Sequence, residues 1–134
     1  MTTVMCFGTF DILHLGHINY FQQAKMLGDL LIVVIARDAT KQHLNKKTLF
    51  SENERVELVQ AISCVTKVVL GDTKDHLKVI ENEKPDFLCL GYDQDIKETV
   101  LHKMLMERNL FPKIVRMKPY KENKYKSSII KKIK

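Results

Sequence analysis

Residues Gly8 to His17 read GTFDILHLGH, and what stands on either side of them decides the fold. Before them lies TTVMCFG, an apolar, β-rich run that ends in glycine. After them, from His17 to Leu27, Ile18, Phe21, Ala24 and Leu27 recur at helical spacing, and Gly28 reads as a C′ stop signal. The stretch therefore joins a strand to a helix.

Further along, the same alternation repeats. DLLIVVIA, Asp29 to Ala36, is almost continuously apolar and β-branched, as a strand covered on both faces should be. Lys41 to Leu49 is polar, basic and irregular, and reads as a loop. Ser51 and Glu54 form a capping box that opens a helix with Val56, Val59 and Ile62 on one face. VTKVVLG is a third strand and Asp75 to Asn82 a short helix. Pro85 opens PDFLCLG, a fourth strand ending at Gly91. Asp95 to Arg108 is helical, with Ile96, Val100, Met104 and Leu105 as its apolar positions. PKIVRM is a fifth strand, and Ser127 or Ser128 caps a last helix, IIKKIK. Strict alternation with short connections implies an α/β fold: a Rossmann-like, doubly wound, five-stranded parallel sheet with helices on both faces. The expected unit is a single domain over residues 1–134.

In such sheets ligands bind beyond the carboxyl ends of the strands, where the strand order reverses. Four stretches fall on that edge: GTFDILHLGH after the first strand, ARDATK after the second, GYDQ after the fourth and the basic tail after the fifth.

Bulk properties narrow the function. No apolar run approaches the roughly 20 residues of a membrane helix. MTTVMCFG lacks the charged and apolar regions of a signal peptide. A cytoplasmic protein without a membrane partner is expected. Cys6, Cys64 and Cys89 are odd in number and sit among apolar neighbours, which reads as buried, reduced thiols. The net charge of +6 is uneven: from Lys113 to the end, nine Lys or Arg face one acid, Glu122. A basic end on a near-neutral body suits an anionic ligand. It carries no aromatic ladder, so nucleic acid is not the expected partner.

His14 and His17 flank Gly16 at the strand-to-helix junction. Zinc would need a third ligand and a nearby carboxylate, and His43, His76 and His102 stand in no such arrangement. No protein-held metal is expected. Core packing would explain one histidine. A helix N-terminus with its dipole, a glycine that lets a ligand approach, and two imidazole donors fit phosphate better.

GTFD followed by HLGH is similar to the signature of the HxGH nucleotidylyltransferase superfamily. Joined to the serine-bearing KSSII near the end, it resembles the branch containing glycerol-3-phosphate cytidylyltransferases and archaeal-type FAD synthases. The resemblance spans essentially the whole chain. It implies that an acceptor phosphate attacks the α-phosphorus of a nucleoside triphosphate and that pyrophosphate leaves. It implies catalytic roles for His14, His17, Lys46 and Arg55. Nucleotide contacts fall on Thr9, Phe10, Asp11, His14, Leu15, Gly16, His17, Asp93, Tyr120, Ser127 and Ser128. Asp11 would orient the loop or approach a metal. Arg55 would neutralise phosphate or pair with an acid on its own helix, and Ser127 and Ser128 would hold the outer phosphates. Mg²⁺ would ride on the nucleotide, and a homodimer is one arrangement found among relatives. GYDQ, ARD and the ending IVRMKPY…KSSIIKKI look closest to the FAD synthase branch, so ATP and FMN are the expected substrates. A CTP-dependent glycerol-phosphate cytidylyltransferase, and a non-catalytic nucleotide- or RNA-binding module, stay open as alternatives.

Overall fold

The computed structural model describes residues 1–43, 47–92 and 94–119. Five strands, β1 (Thr3–Gly8), β2 (Leu30–Ile35), β3 (Lys67–Leu70), β4 (Phe87–Leu90) and β5 (Lys113–Arg116), alternate with helices. These are α1 (Leu15–Lys25), α2 (Asp38–His43), α3 (Glu52–Gln60), α4 (Lys78–Glu83) and α5 (Glu98–Met106). The strands pair in parallel in the order β3-β2-β1-β4-β5. The chain thus winds outward from β1 in both directions, and the order reverses between β1 and β4. This is the doubly wound, Rossmann-like sheet expected.

Successive strand residues point to opposite faces, so a sheet covered on both sides needs apolar residues at every position. Val4, Cys6, Leu31 and Val33 pack with Phe21 and Ala24 of α1 and Val59 of α3. Met5, Ile32, Val34 and Leu88 pack with Val79 and Ile80 of α4 and Leu101 and Leu105 of α5. Each Val, Leu, Ile, Phe or Met side chain among them, fully buried, contributes about 1.5–3 kcal/mol. The unbroken LLIVVI of β2 is the result.

Four local details differ from the sequence expectation. Helix α1 starts at Leu15, two residues before His17, because the His14 ring caps it: Nδ1 accepts from the Gly16 N–H at 3.0 Å. Helix α2 occupies ground that reads as the approach to a loop. It is fixed by a long-range exchange: the Asp38 N–H donates to Glu52, and the Glu52 N–H donates to Asp38. Helix α4 starts at Lys78, after Asp72 and Asp75, whose carboxylates take the N–H groups of Lys74, Asp75 and Leu77. That is turn chemistry competing with helix. Helix α5 starts at Glu98, and of its expected apolar positions only Leu105 is buried. Ile96, Val100 and Met104 are 38%, 49% and 42% exposed, and Leu101 takes the inner place beside Leu105.

Gly28 has another role than the C′ one. No described glycine has positive φ. A Cβ at Gly28 would lie 2.8 Å from both the Thr2 carbonyl oxygen and a Val4 methyl. Close approach to the start of β1 is what requires glycine there.

Candidate functional site

The turn after β1 is built around a strained residue. Phe10 has φ of 52°, a left-handed conformation that costs a non-glycine residue roughly 1–2 kcal/mol. Its ring offsets that cost: it is 4% exposed and packs 5.3 Å from His17 edge-on, 5.0 Å from Phe21 and 6.3 Å from Tyr20. The ring lies over Gly8, where a Cβ would come within 2.5 Å of its Cζ. The glycine at the end of β1 is therefore a matter of space.

Asp11, 3% exposed, is the second anchor. Its two carboxylate oxygens accept from the Leu49 N–H at 3.0 and 2.8 Å, and Oδ1 also accepts from the Phe50 N–H at 2.9 Å. These bonds hold the segment leading into α3 against the β1 turn.

Arg55 is the third. The structure puts it to a use different from phosphate contact or pairing on its own helix. Its side chain is 0% exposed. The guanidinium donates to the carbonyls of Thr9 (2.9 Å), Ala36 (2.8 Å) and Phe50 (3.2 Å), and to the Asp38 carboxylate at 2.7 Å. The planar fork of arginine can serve four acceptors from one buried point. It ties the loop after β1 to the loop after β2 and to the start of α3. Arg37 extends the tie: Nε donates to the Gly71 carbonyl after β3, and Nη1 to Glu52. Donation from the Glu52 N–H and the nearby Arg55 charge hold the Asp38 carboxyl below its ordinary range.

On this base stand the two histidines. Their rings stack 4.0 Å apart at 23°. Because Nδ1 of His14 accepts a backbone hydrogen bond, its proton is assigned to Nε2. His17 Nδ1 is buried and has no hydrogen-bond partner among the described residues. Burial, and then the neighbouring His14, push the His17 imidazole down to a pKa of about 3. Both effects oppose a positive charge there. His17 is thus neutral beside the His14 ring at the start of α1, where the helix dipole is positive. An anion brought to this place would meet backbone N–H groups and ring N–H donors.

Thr9, Phe10, Asp11, His14, Leu15, Gly16 and His17 come together along the β1 turn and the first turn of α1. Leu15 is 51% exposed at its mouth. Lys46, Asp93, Tyr120, Ser127 and Ser128 lie outside the described residues. Asp38 and Arg37 belong to the ARD stretch, but nothing local to that stretch identifies them as partners of Arg55 and Glu52. Gln94 is also part of the site edge: its carboxamide donates to the Phe7 carbonyl at 3.0 Å and accepts from the Gly91 N–H at 2.8 Å, joining β4 to β1 across the reversal point. Among the described residues no group of three or more His, Cys, Asp or Glu is placed to hold a metal ion.

A family model described as Cytidylyltransferase-like matches residues 5–133. The chain belongs to that family. Within it, the chain is 41% identical over 132 residues to a protein named FAD synthase from Thermoplasma acidophilum, covering 98% of this chain and 93% of that one. It is 44% identical over 135 residues to an FAD synthase from Archaeoglobus profundus, covering 99% and 86%. A crystal structure from Thermoplasma volcanium, described as a lipopolysaccharide core biosynthesis protein, superposes with a TM-score of 0.87 at 42% identity, covering 90% of this chain and 98% of that one. The fold alone is shared with a pantoate-β-alanine ligase from Francisella tularensis, at a TM-score of 0.64 and 17% identity, over 97% of this chain and 67% of that one.

Proposed function

We propose that this family member transfers AMP from ATP to FMN, forming FAD and pyrophosphate. The observation that carries this reading is the run of FAD synthases 41–44% identical over most of the chain. The site geometry agrees with it. A phosphate oxygen of FMN attacks the α-phosphorus, the new O–P bond forms, and the bond to the β-phosphate oxygen breaks. No covalent protein intermediate is involved, so the protein's part is positioning and charge stabilisation.

His14, held by the Gly16 N–H, presents its Nε2 proton toward the phosphates. His17, kept neutral by burial and by His14, meets the phosphates as a neutral imidazole. Arg55 works at one remove: it fixes the Thr9 carbonyl and so the turn that carries the motif. Lys46, Ser127 and Ser128 supply further phosphate contacts in this reading, and Asp93 and Tyr120 contacts to the nucleoside. The divalent ion, Mg²⁺, enters as part of the nucleotide substrate. Both oxygens of Asp11 are already engaged by backbone N–H groups, so it is not assigned as a ligand. Three free cysteines, two of them buried, suit the reducing cytoplasm.

The test is purified protein with FMN, ATP and Mg²⁺, with FAD followed by chromatography. FAD formed in step with pyrophosphate is the expected result. Turnover only with CTP and glycerol phosphate, or nucleotide binding with no pyrophosphate released, refutes the reading.

A further inference from the structure

Arg116 closes β5, in register beside Leu90 at the end of β4. Its side chain stands where the chain leaves β4. The guanidinium donates to the carbonyls of Gly91 (2.8 Å), Gln94 (2.8 Å) and Ile96 (2.6 Å), and to the carboxylate of Glu98. An ion pair with Glu98 alone would need none of those carbonyls. Three carbonyls converging on one planar fork describe a loop whose path is set by the arginine. From the other side, Gln94 fastens the same loop to Phe7 at the end of β1. Gln94 and Arg116 thus hold the described residues after β4 beside the end of β1, where the order of strands reverses and the turn to His14 and His17 begins.

We propose that Arg116 is a positioning residue for nucleotide choice: by holding the carbonyls of Gly91, Gln94 and Ile96, it shapes the wall against which the nucleoside lies. This rests on the reading of the site as a nucleotidyl-transfer site, with the phosphates on the histidine side. Discrimination between bases depends on polar groups held in fixed places, and it is lost when those places relax.

The experiment titrates the full chain with ATP and with CTP, without acceptor, for wild type, Arg116→Lys, Arg116→Gln and Glu98→Gln. Thermal midpoints report folding. Lysine keeps the charge and the stem but cannot span three carbonyls, so the CTP/ATP ratio of Kd values should fall at least 5-fold in Arg116→Lys. In the transfer assay, the KM for FMN should stay within 2-fold of wild type. Glu98→Gln leaves the carbonyl bonds in place and should keep the ratio. An unchanged ratio in folded Arg116→Lys overturns the proposal. So does a parallel rise in both KM values, or an equal collapse of the ratio in Glu98→Gln. Should Arg116→Gln not fold, the lysine variant still decides. Absence of FAD from the wild type would refute the proposed reaction, while the ratio of Kd values would still judge Arg116.

Discussion

Replacing Arg55 by Met keeps the volume of its stem and removes every donor. Three carbonyls, of Thr9, Ala36 and Phe50, lose their partner, and Asp38 loses its ion pair. Breaking a buried pair by deleting one member, with the groups it leaves unmet, costs about 3–5 kcal/mol. Asp38 is 33% exposed and rehydrates in part, which argues for the lower half of that range, about 3–4 kcal/mol. With a urea slope of about 2 kcal/mol per molar for a small domain, the midpoint should fall by about 1.5–2 M at unchanged slope. Turnover should fall as well, since the turn carrying Thr9 and the histidines loses its tie to α3. A midpoint shift below about 0.5 M would refute the reasoning. The clamp would then be worth no more than one ordinary hydrogen bond, about 1 kcal/mol.

Two further outcomes are expected. His17 is held at about 3 by burial and by His14, against about 6.5 in an unfolded chain. A depressed pKa means the unfolded state takes up the proton first, so its contribution is complete above about pH 6.5 and is lost as pH falls toward 3. Between pH 7 and pH 4.5 the wild type should lose more urea resistance than His17→Gln, and the His17 ring protons should show no NMR titration from pH 5 to 8; an ordinary titration curve would contradict the burial argument. Gly8→Ala should drive a methyl into the Phe10 ring, where a Cβ would lie 2.5 Å from Cζ. That costs about 1–3 kcal/mol as overpacking, read from thermal melts, and displaces the aromatic neighbour of His17, read as a lower kcat; wild-type values for both would mean that the ring can step aside.

The three inner strands were legible because a doubly covered sheet leaves no room for polar residues, and VMCFG, LLIVVI and FLCL say so directly. The His14–His17 motif was legible because its chemistry is local. What escaped is what depends on partners far along the chain. Helix α2 rests on Asp38 meeting Glu52, 14 residues away. Arg55 looks like a phosphate ligand until Thr9, 46 residues earlier, is seen to accept from it. Arg116 counts as one more charge of a basic tail until three carbonyls converge on it. The exposed Ile96–Val100–Met104 stripe misled for a related reason: helical spacing shows which residues share a face, and only the sheet decides which face is covered.

The two ends of the sheet also dictate how the protein should be handled. Thr2 and Thr3 donate their N–H groups to Asp29 and Asp86 at the edge where β1 begins, with Met1 92% exposed beyond them. At the opposite edge, Gln23 grips both the N–H and the carbonyl of Lys118, which ties the end of β5 to α1. A purification handle or surface linkage attached ahead of Met1 stands at the edge where β1 begins, away from the turn after β1 that carries His14 and His17.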